Sequence, residues 1–247
     1  MGIDENRSVR KKNFVFLGEG GSGKSELALN WACILNQKFK KDEEVHIFDL
    51  DQTKPLFRAR DVQQYMEKKN IKMHFEKQFY DAPTMAGGVS ECLKNEKCFV
   101  ILDVGGNHTG ARMIGGFSSL LNQPDTEVYF VINPYRPWSQ NVVSVDQTLS
   151  SILQVSRIQK VKIISNPNVG ATTKAEEVLA GHQKVKAMIE EYMPISCLCV
   201  REELYEEIRK KTDTPVIPVE LRMQSETLEK ERWEILDGDK EVGTWPE

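Results

Sequence analysis

The chain has 247 residues and a formal net charge of −4 at pH 7. Its lysines and arginines are scattered, so nothing in the composition indicates a nucleic-acid-binding surface. No apolar run approaches the roughly 20 residues of a membrane span, and the charged N-terminus lacks a signal-peptide core. We therefore expect a cytoplasmic protein without a membrane span.

The five cysteines are dispersed along a chain without secretion signals, which argues against a disulfide framework. Cys197 and Cys199 form the one close pair. They fall on the same face of an apolar, strand-like run, so we expect them to be buried thiols. As metal ligands they would need a second pair from another subunit.

Apolar, strand-like runs alternate with helix-like segments over most of the chain. This alternation predicts βαβ units, that is, an α/β sandwich of three layers with a mostly parallel central sheet and helices on both faces. We expect a flexible tail at 1–12, one domain at 13–218 and a charge-rich extension at 219–247. The predicted strands are 14–17, 45–51, 71–75, 98–106, 127–133, 160–166 and 195–200. Seven helices are predicted. The first ends near residue 39 and the fourth near residue 121, and the others span 60–69, 85–95, 139–155, 173–192 and 201–211.

A glycine-rich segment joins the first strand to the first helix. It fits G-x-x-x-x-G-K-[ST] through Gly18, Gly23, Lys24 and Ser25, in the strand-to-helix context that a phosphate-binding loop requires. Glycines let backbone N–H groups approach phosphate oxygens, and the helix N-terminus adds positive potential. We predict that Lys24 reaches the β- and γ-phosphates and that the Ser25 hydroxyl binds Mg²⁺. The loop residues expected to line the nucleotide are Gly18, Glu19, Gly20, Gly21, Ser22, Gly23, Lys24, Ser25 and Glu26.

Acidic residues end two other predicted strands. Asp103 has the position of a Walker B acid that holds Mg²⁺, and the following glycines, Gly105 and Gly106, allow a backbone N–H to turn toward a γ-phosphate. At the end of another strand, one of Asp49 and Asp51 could orient the attacking water while the other structures the Mg²⁺ shell. Transition-state charge could be stabilised by an arginine. Four candidates remain open: Arg58, Arg60, Arg112 and Arg136.

The strand that ends in SNPN bears on the choice of base. Guanine readers need an acid three places after the asparagine of their motif, and after Asn166 that place holds Val169. TKAE at 173–176 imitates the motif but falls where a helix should begin. We therefore expect ATP rather than GTP, with Asn166 facing the adenine amino group.

The segments GEGGSGKSE, FDLDQTKP, VILDVGGN and the Asn166 strand, in that order, resemble the MinD/ParA/Mrp family of P-loop ATPases over roughly residues 13–210. DLDQTKPLFRARD, VINPYRPWS and SNPNVGATTKAEEVLAG look like a bacterial subgroup of it. The resemblance implies that Lys24 and Ser25 bind phosphate and Mg²⁺, that Asp51 positions the hydrolytic water, that Asp103 is the Walker B acid and that Asn166 reads adenine. Ser25, Asp51 and Asp103 are thus the expected metal-site residues.

One position departs from the family pattern. Members usually carry a signature lysine second in the loop, which reaches the partner subunit's nucleotide, and here that place holds Glu19. A carboxylate is repelled by a triphosphate, so Glu19 should point away, pair with a base or contact a partner. A dimer that sandwiches nucleotide through this residue is in doubt, while dimerisation by another surface stays open.

Three functions are consistent with these residues. The first is an ATPase that acts as a nucleotide-dependent switch on a protein partner, slow without that partner, as in metallocofactor or enzyme maturation. The second is an ATP-dependent small-molecule kinase or ligase of the dethiobiotin synthetase type, whose acceptor pocket would include Asp49, Lys54, Arg58 and Arg136. The third is a nucleotide-sensing scaffold with negligible turnover.

Overall fold

The computed structural model describes residues 9–38, 42–51, 62–74, 88–106 and 108–223. Their strands form one eight-stranded sheet in which every pair of neighbours is parallel. The strands are β1 Asn13–Leu17, β2 Glu44–Leu50, β3 Ile71–His74, β4 Cys98–Val104, β5 Thr126–Ile132, β6 Lys162–Ser165, β7 Ile195–Arg201 and β8 Val216–Val219. Their order across the sheet is β3-β2-β4-β1-β5-β6-β7-β8. All described strands therefore present their carboxyl ends at one edge.

Helices connect the strands and cover both faces of the sheet. They are α1 Lys24–Asn36, α2 Gln63–Lys68, α3 Val89–Lys94, α4 His108–Ile114, α5 Ser118–Leu121, α6 Val142–Ser156, α7 Ala175–Ile189 and α8 Tyr205–Ile208. The residue before each of the three longest helices, α1, α6 and α7, has a non-helical backbone conformation. Before α6, the side chain of Asn141 caps the helix by accepting a hydrogen bond from the Ser144 amide at 2.9 Å.

Two hydrophobic layers form because alternate strand residues point to opposite faces. Phe14 and Phe16 of β1 pack against α1 and α2, together with Ile47 of β2 and Ile101 of β4. The intervening residues of the same strands, such as Val15, pack against α3, α4 and α6. Both faces of the central strands are thus buried, which explains their nearly continuous apolar sequences.

The predicted α/β fold class is confirmed, and all seven predicted strands are present with ends shifted by a few residues. The predicted helices are shorter in the structure: the one expected to reach residue 39 ends at Asn36, and the one expected at 173–192 spans Ala175–Ile189. The expected helix at 201–211 is a 3-10 turn followed by the single turn α8. Parts of the expected elements at 39, 60–61, 75 and 85–87 lie outside the described residues.

Strand β8 was missed by the sequence prediction. It has four residues and contains Pro218, which cannot donate a backbone hydrogen bond and which weakens any strand pattern. Proline is tolerated here because β8 is at the edge of the described sheet, paired only with β7. This strand lies at the expected boundary between domain and extension at 218–219.

Both ends of the described chain contact the domain. At the N-terminal end, where we expected a flexible tail, the amide of Lys12 donates to the Asp125 carbonyl at 2.9 Å, and Arg10 is paired with Glu43. At the other end, Met223 is buried in the hydrophobic layer around α1. The expected extension beyond residue 223 and the tail before residue 9 stay predictions.

Candidate nucleotide-binding site

The glycine-rich loop leaves β1 at the carboxyl edge of the sheet and enters α1 through a sharp turn. Gly23, immediately before α1, has φ +92°, a conformation that side chains rarely adopt. A Cβ atom at Gly23 would also overlap the side-chain amide of Asn166. Both the backbone geometry and this close approach therefore require glycine at the second glycine position of the motif.

Lys24 is the first residue of α1, and only 1% of its surface is exposed. Ser25, the next residue, is half-buried. The N-terminal amides of a helix point toward such a position and carry partial positive charge. A buried ammonium group at a helix N-terminus makes this point of the molecule a site for an anionic ligand.

Three carboxylates are buried at the ends of β4, which neighbours β1, and of β2, which lies on the other side of β4. Asp49 and Asp103 are register partners on β2 and β4, and Asp51 follows β2 directly. Their exposed fractions are 6%, 1% and 3% respectively. By strand alternation, Asp49 and Asp103 point to the face that α1 covers. The Asp51 amide donates to Asp49 Oδ1 at 3.0 Å, which holds the end of β2 in place.

The glycine pair after β4 brings these acids to the loop. A Cβ on Gly106 would lie 2.7 Å from the backbone nitrogen of Gly20, and one on Gly105 would lie 3.5 Å from Asp51 Oδ1. The loop, the end of β4 and the end of β2 therefore touch one another. The expected catalytic residues Asp51 and Asp103 are brought to the same edge as Lys24, while their roles stay predictions.

Of the four candidate arginines, the structure places Arg136 at the loop. Its Nε donates to the Gly21 carbonyl at 3.1 Å. Arg112 is exposed on α4, and Arg58 and Arg60 lie outside the described residues, as does Lys54.

Asn133, just after β5, is a site residue that the sequence prediction missed. Its Nδ2 donates to the Asn168 carbonyl at 2.8 Å and approaches the Gly21 carbonyl at 3.4 Å. Its Oδ1 accepts from the amides of Tyr135 and Asn168 at 3.1 and 3.3 Å. The side chain thus joins the phosphate loop to the segment after β6. A polar residue directly after a buried strand is the same signal that identified Asp51 and Asn166.

Asn166 contacts the phosphate loop. Its Nδ2 donates to the Ser22 carbonyl at 2.7 Å, and 6% of the residue is exposed. The sequence prediction had this amide facing an adenine ring. The bond to Ser22 uses Nδ2 and leaves Oδ1 as the acceptor for an adenine amino group. In this structure Asn166 supports the loop, and its role in reading adenine stays a prediction.

A small open pocket lies beside Asn166, at the carboxyl ends of β6, β7 and β8. Its lining includes Asn168, Arg201 and Leu221. Arg201 is held in place because its guanidinium donates to the carbonyls of Ala171 and Thr173. Within the part of the chain that the structure describes, no carboxylate lines the pocket. This is the concave surface next to the loop where a base could lie.

The two glutamates of the loop segment have different surroundings. Glu19 is half-buried, its Oε2 accepts from the Gly20 amide at 3.3 Å, and within the described chain it has no ion pair with a basic side chain. Glu26 accepts from the amides of Arg222 and Met223 at 2.5 and 3.1 Å. Burial raises the pKa of Glu26 to about 7. The carboxylate of Glu26 therefore contacts the C-terminal segment, although we expected it to line the nucleotide.

The donor atoms at this edge fit Mg²⁺. Carboxylate and hydroxyl oxygens are the ligands that this ion prefers. The expected metal-site residues Ser25, Asp51 and Asp103 supply that set, and the two aspartates are buried beside the loop.

A parallel α/β sheet with this loop between β1 and α1 is the fold of a P-loop NTPase. No family model matches the chain, and no curated protein matches it either. Similar solved structures include FlhF complexed with GTP and Mg²⁺, at TM-score 0.45 and 15% identity over 70% of this chain. FtsY from Mycoplasma mycoides has a TM-score of 0.47 and 17% identity over 78% of this chain. The 54 kDa signal recognition particle protein from Aeropyrum pernix K1, in complex with GDP, has a TM-score of 0.47 and 18% identity over 79% of this chain.

The matched regions span 61%, 63% and 42% of those three chains. Similarity at this level carries no information about nucleotide preference or partners. Among the described residues, no helix combines the length and the hydrophobicity that crossing a bilayer requires.

Proposed function

We propose that this protein is an ATP- and Mg²⁺-dependent NTPase of the MinD/ParA type that acts as a nucleotide-dependent switch on a protein partner. The observation that carries the proposal is the meeting of the phosphate loop with Asp51 and with the glycines after Asp103. A phosphate-binding loop alone would only hold a nucleotide. Buried carboxylates beside it add the means to hold a metal ion and to orient water.

Each residue of this edge has a distinct part in the proposed reaction. The loop amides and the Lys24 ammonium bind the phosphates, and Ser25 and Asp103 hold Mg²⁺, which neutralises charge on the phosphates when bound. Asp51 accepts a hydrogen bond from the attacking water and orients it, and it contributes to the metal shell. Arg136, already on the loop through Gly21, is the arginine best placed to stabilise charge that develops on the phosphates.

The preference for adenine rests on the pocket beside Asn166. A guanine-specific pocket needs a carboxylate to accept the two guanine N–H groups, and the described residues that line this pocket include none. Glu176, the acid of the TKAE segment, is exposed in the first turn of α7. ATP is therefore the nucleotide that these side chains favour.

The role as a switch is supported by apolar side chains near the loop. Trp138 and Val143 are 51% and 60% exposed, and they follow Arg136 closely in the chain. Because Arg136 contacts the loop directly, a protein bound at this surface would sense changes in the loop. Exposed aromatic side chains of this kind are enriched at protein interfaces.

The binding test is calorimetry on the full chain with Mg²⁺ and either ATP or GTP. Lys24→Ala should weaken ATP binding at least about tenfold, which is about 1.4 kcal/mol, because the ammonium group is lost from the phosphates. Lys12→Ala is the matched control, since Lys12 is also buried but lies at the opposite end of β1, near Glu96 and Asp125. Unaltered ATP binding by the Lys24 variant would contradict the site, and tighter binding of GTP than ATP would contradict the base preference.

The same two variants test the switch. Proteins retained from a cell extract by the wild type with Mg²⁺ and a non-hydrolysable ATP analogue should be lost with ADP. They should also be lost with the Lys24 variant and kept with the Lys12 variant. A retained set that does not depend on nucleotide would argue against a switch, and ADP release that rises only with a small-molecule acceptor would favour the kinase or ligase alternative.

A further inference from the structure

A cluster of imidazole and thiol groups lies near the amino edge of the sheet, on the face opposite α1. His46 comes from β2, Cys98 is the first residue of β4, and Cys92 comes from α3. One possible metal-ligating atom from each of the three lies within 4.8 Å of those from the other two. Cys92 Sγ is 3.4 Å from His46 Nδ1, and Cys98 Sγ is 3.7 Å from His46 Nε2.

The 3.4 Å between Cys92 Sγ and His46 Nδ1 suits two ligands of one tetrahedral zinc ion. The 3.7 Å contact of Cys98 is with Nε2, the other nitrogen of the same ring, so Cys98 belongs to the cluster through the mutual distances of up to 4.8 Å. With Zn–S bonds of about 2.3 Å and Zn–N bonds of about 2.0 to 2.1 Å, the ligand atoms of a tetrahedron are roughly 3.3 to 3.8 Å apart. His46 is 6% exposed and Cys98 is 3% exposed, so the groups are largely removed from water. Thiolate and imidazole ligands together favour Zn²⁺ over Mg²⁺ or Ca²⁺, which prefer oxygen.

His74, the last residue of β3, is the candidate for a fourth ligand, although it is outside the group of three whose ligand atoms lie within 4.8 Å of one another. Its Nε2 is 2.9 Å from His46 Nδ1, and the two rings are stacked with centroids 5.1 Å apart. To ligate the same ion, His74 would have to rotate so that this contact lengthens and Nε2 approaches the two sulfurs. His46 Nε2 is 3.2 Å from a carboxylate oxygen of Glu44. A metal-bound histidine commonly donates its second ring N–H to such a carboxylate, which fixes its orientation.

We propose that His46, Cys92, Cys98 and His74 bind one Zn²⁺ ion, with His46 ligating through Nδ1. Each cysteine releases its thiol proton to solvent as its sulfur binds the metal. All four positions are then occupied by protein side chains, so the site is structural and has no open position for a substrate. The ion cross-links α3 to β2, β3 and β4. It thereby supports two strands whose other ends carry Asp49, Asp51 and Asp103.

The first test is a Co²⁺ titration of the full chain, purified with a chelator and then freed of it. We expect one Co²⁺ per chain, with thiolate-to-metal charge-transfer absorption and the strong visible bands of tetrahedral coordination, and displacement by Zn²⁺. Cys92→Ser and Cys98→Ser should each weaken the charge-transfer band and the double variant should abolish it, whereas Cys33→Ala, a control at another buried thiol, should keep it at full strength. No such band in the wild type, or a band that persists in the double serine variant, would overturn the site.

His74→Asn separates the fourth ligand from the other three. It should weaken Co²⁺ affinity at least tenfold and reduce the visible bands while the charge-transfer band persists at saturating metal. Unchanged affinity and band shape would overturn the assignment of His74.

A second measurement uses the unaltered protein, so it does not depend on any variant folding. Alkylation followed by mass spectrometry should show that one equivalent of Zn²⁺ protects Cys92 and Cys98 and leaves the rates at Cys33, Cys197 and Cys199 unchanged. Equal protection of all five cysteines, or of none, would argue against a site at these residues. One measurement separates the zinc proposal from the nucleotide site. Cys92→Ser should lose the zinc site but keep the wild-type affinity for ATP with Mg²⁺.

Discussion

His182 of α7 has no exposed surface and hydrogen bonds at both ring nitrogens. Nδ1 is 3.0 Å from Ser165 Oγ on β6, and Nε2 is 3.0 Å from Thr214 Oγ1 before β8. Burial lowers the pKa of His182, and the nearby Lys186 lowers it further. The folded protein therefore holds this imidazole in its neutral form.

This makes a prediction about pH. A histidine with a lowered folded pKa binds fewer protons in the folded than in the unfolded state, so its contribution to stability is present above pH 6.5 and is lost as the pH falls below that value. The loss is at most about 1.4 kcal/mol per pH unit for one proton. In urea titrations between pH 7 and pH 5, His182→Gln should lose less unfolding free energy than the wild type, although it starts less stable. Parallel losses in both proteins would contradict this account.

Asn166 also illustrates what is decided at the level of one residue. Its place after a buried strand predicted a site residue, but the direction of its amide depends on the Ser22 carbonyl, 144 positions away in the chain. The same applies to Arg136, which differs from Arg112, the other described candidate arginine, by its contact with Gly21.

At the level of elements, α1 links the phosphate loop to the segment after β8. Asn30, in the middle of α1, donates to the Glu220 carbonyl at 2.9 Å, and its Oδ1 accepts from the Glu220 amide at 3.0 Å. One turn earlier, Glu26 accepts from two backbone amides of the same segment. The C-terminal strand and the helix that begins with Lys24 are thus joined by side-chain-to-backbone hydrogen bonds.

We predict that Asn30→Ala releases this segment. The two hydrogen bonds to the partly buried backbone of Glu220 are lost, together with the one to the Glu26 carbonyl on the same helix. We expect a cost of about 1 to 3 kcal/mol, which the better helix propensity of alanine offsets by up to about 0.7 kcal/mol. Hydrogen exchange at the Glu220 amide should accelerate while exchange within β1 and β4 stays slow. Asn36→Ala is the control, because Asn36 lies on the same helix but donates to the Lys69 carbonyl. Unchanged exchange at Glu220 in the Asn30 variant would contradict the linkage.

At the level of the whole molecule, the carboxyl ends and the amino ends of the strands form two chemically different edges of the sheet. The carboxyl edge holds the phosphate loop and three buried carboxylates, and the amino edge of β2 and β4 holds the zinc candidates. A ligand that binds at the carboxyl edge binds only the folded chain, because strand order and register assemble this edge. Such a ligand should therefore stabilise the entire domain.

This leads to a prediction for thermal unfolding. With ATP and Mg²⁺ at about 100 times the dissociation constant, the unfolding free energy should rise by about 2.7 kcal/mol, equivalent to roughly 5 to 10 °C in Tm for a chain of this size. Asp103→Asn should gain less from ATP with Mg²⁺ than the wild type does, each compared with its own unfolding temperature without ligand, because an amide lacks the charge with which a carboxylate holds the ion. A full ligand shift in this variant, or a shift that persists in EDTA, would contradict the metal role of Asp103.

The sequence by itself determined the class of fold and the chemical core of the site. Apolar runs are a local property of the sequence, so they predicted seven of the eight described strands. The glycine motif predicted the loop because its residues are consecutive. Asp51, Asp103 and Asn166 could be singled out because parallel strands end at one edge. Cys197 and Cys199 are buried, as their alternation predicted.

Only the tertiary structure decided which of these residues meet. Strand order and register bring together positions far apart in the chain, and local periodicity does not encode them. That is why the cluster of His46, Cys92 and Cys98, drawn from three elements, was not foreseen, although each residue is visible in the sequence. It is also why β8 was missed: its stability comes from pairing with β7 and from contacts with α1, since its own four residues include a proline.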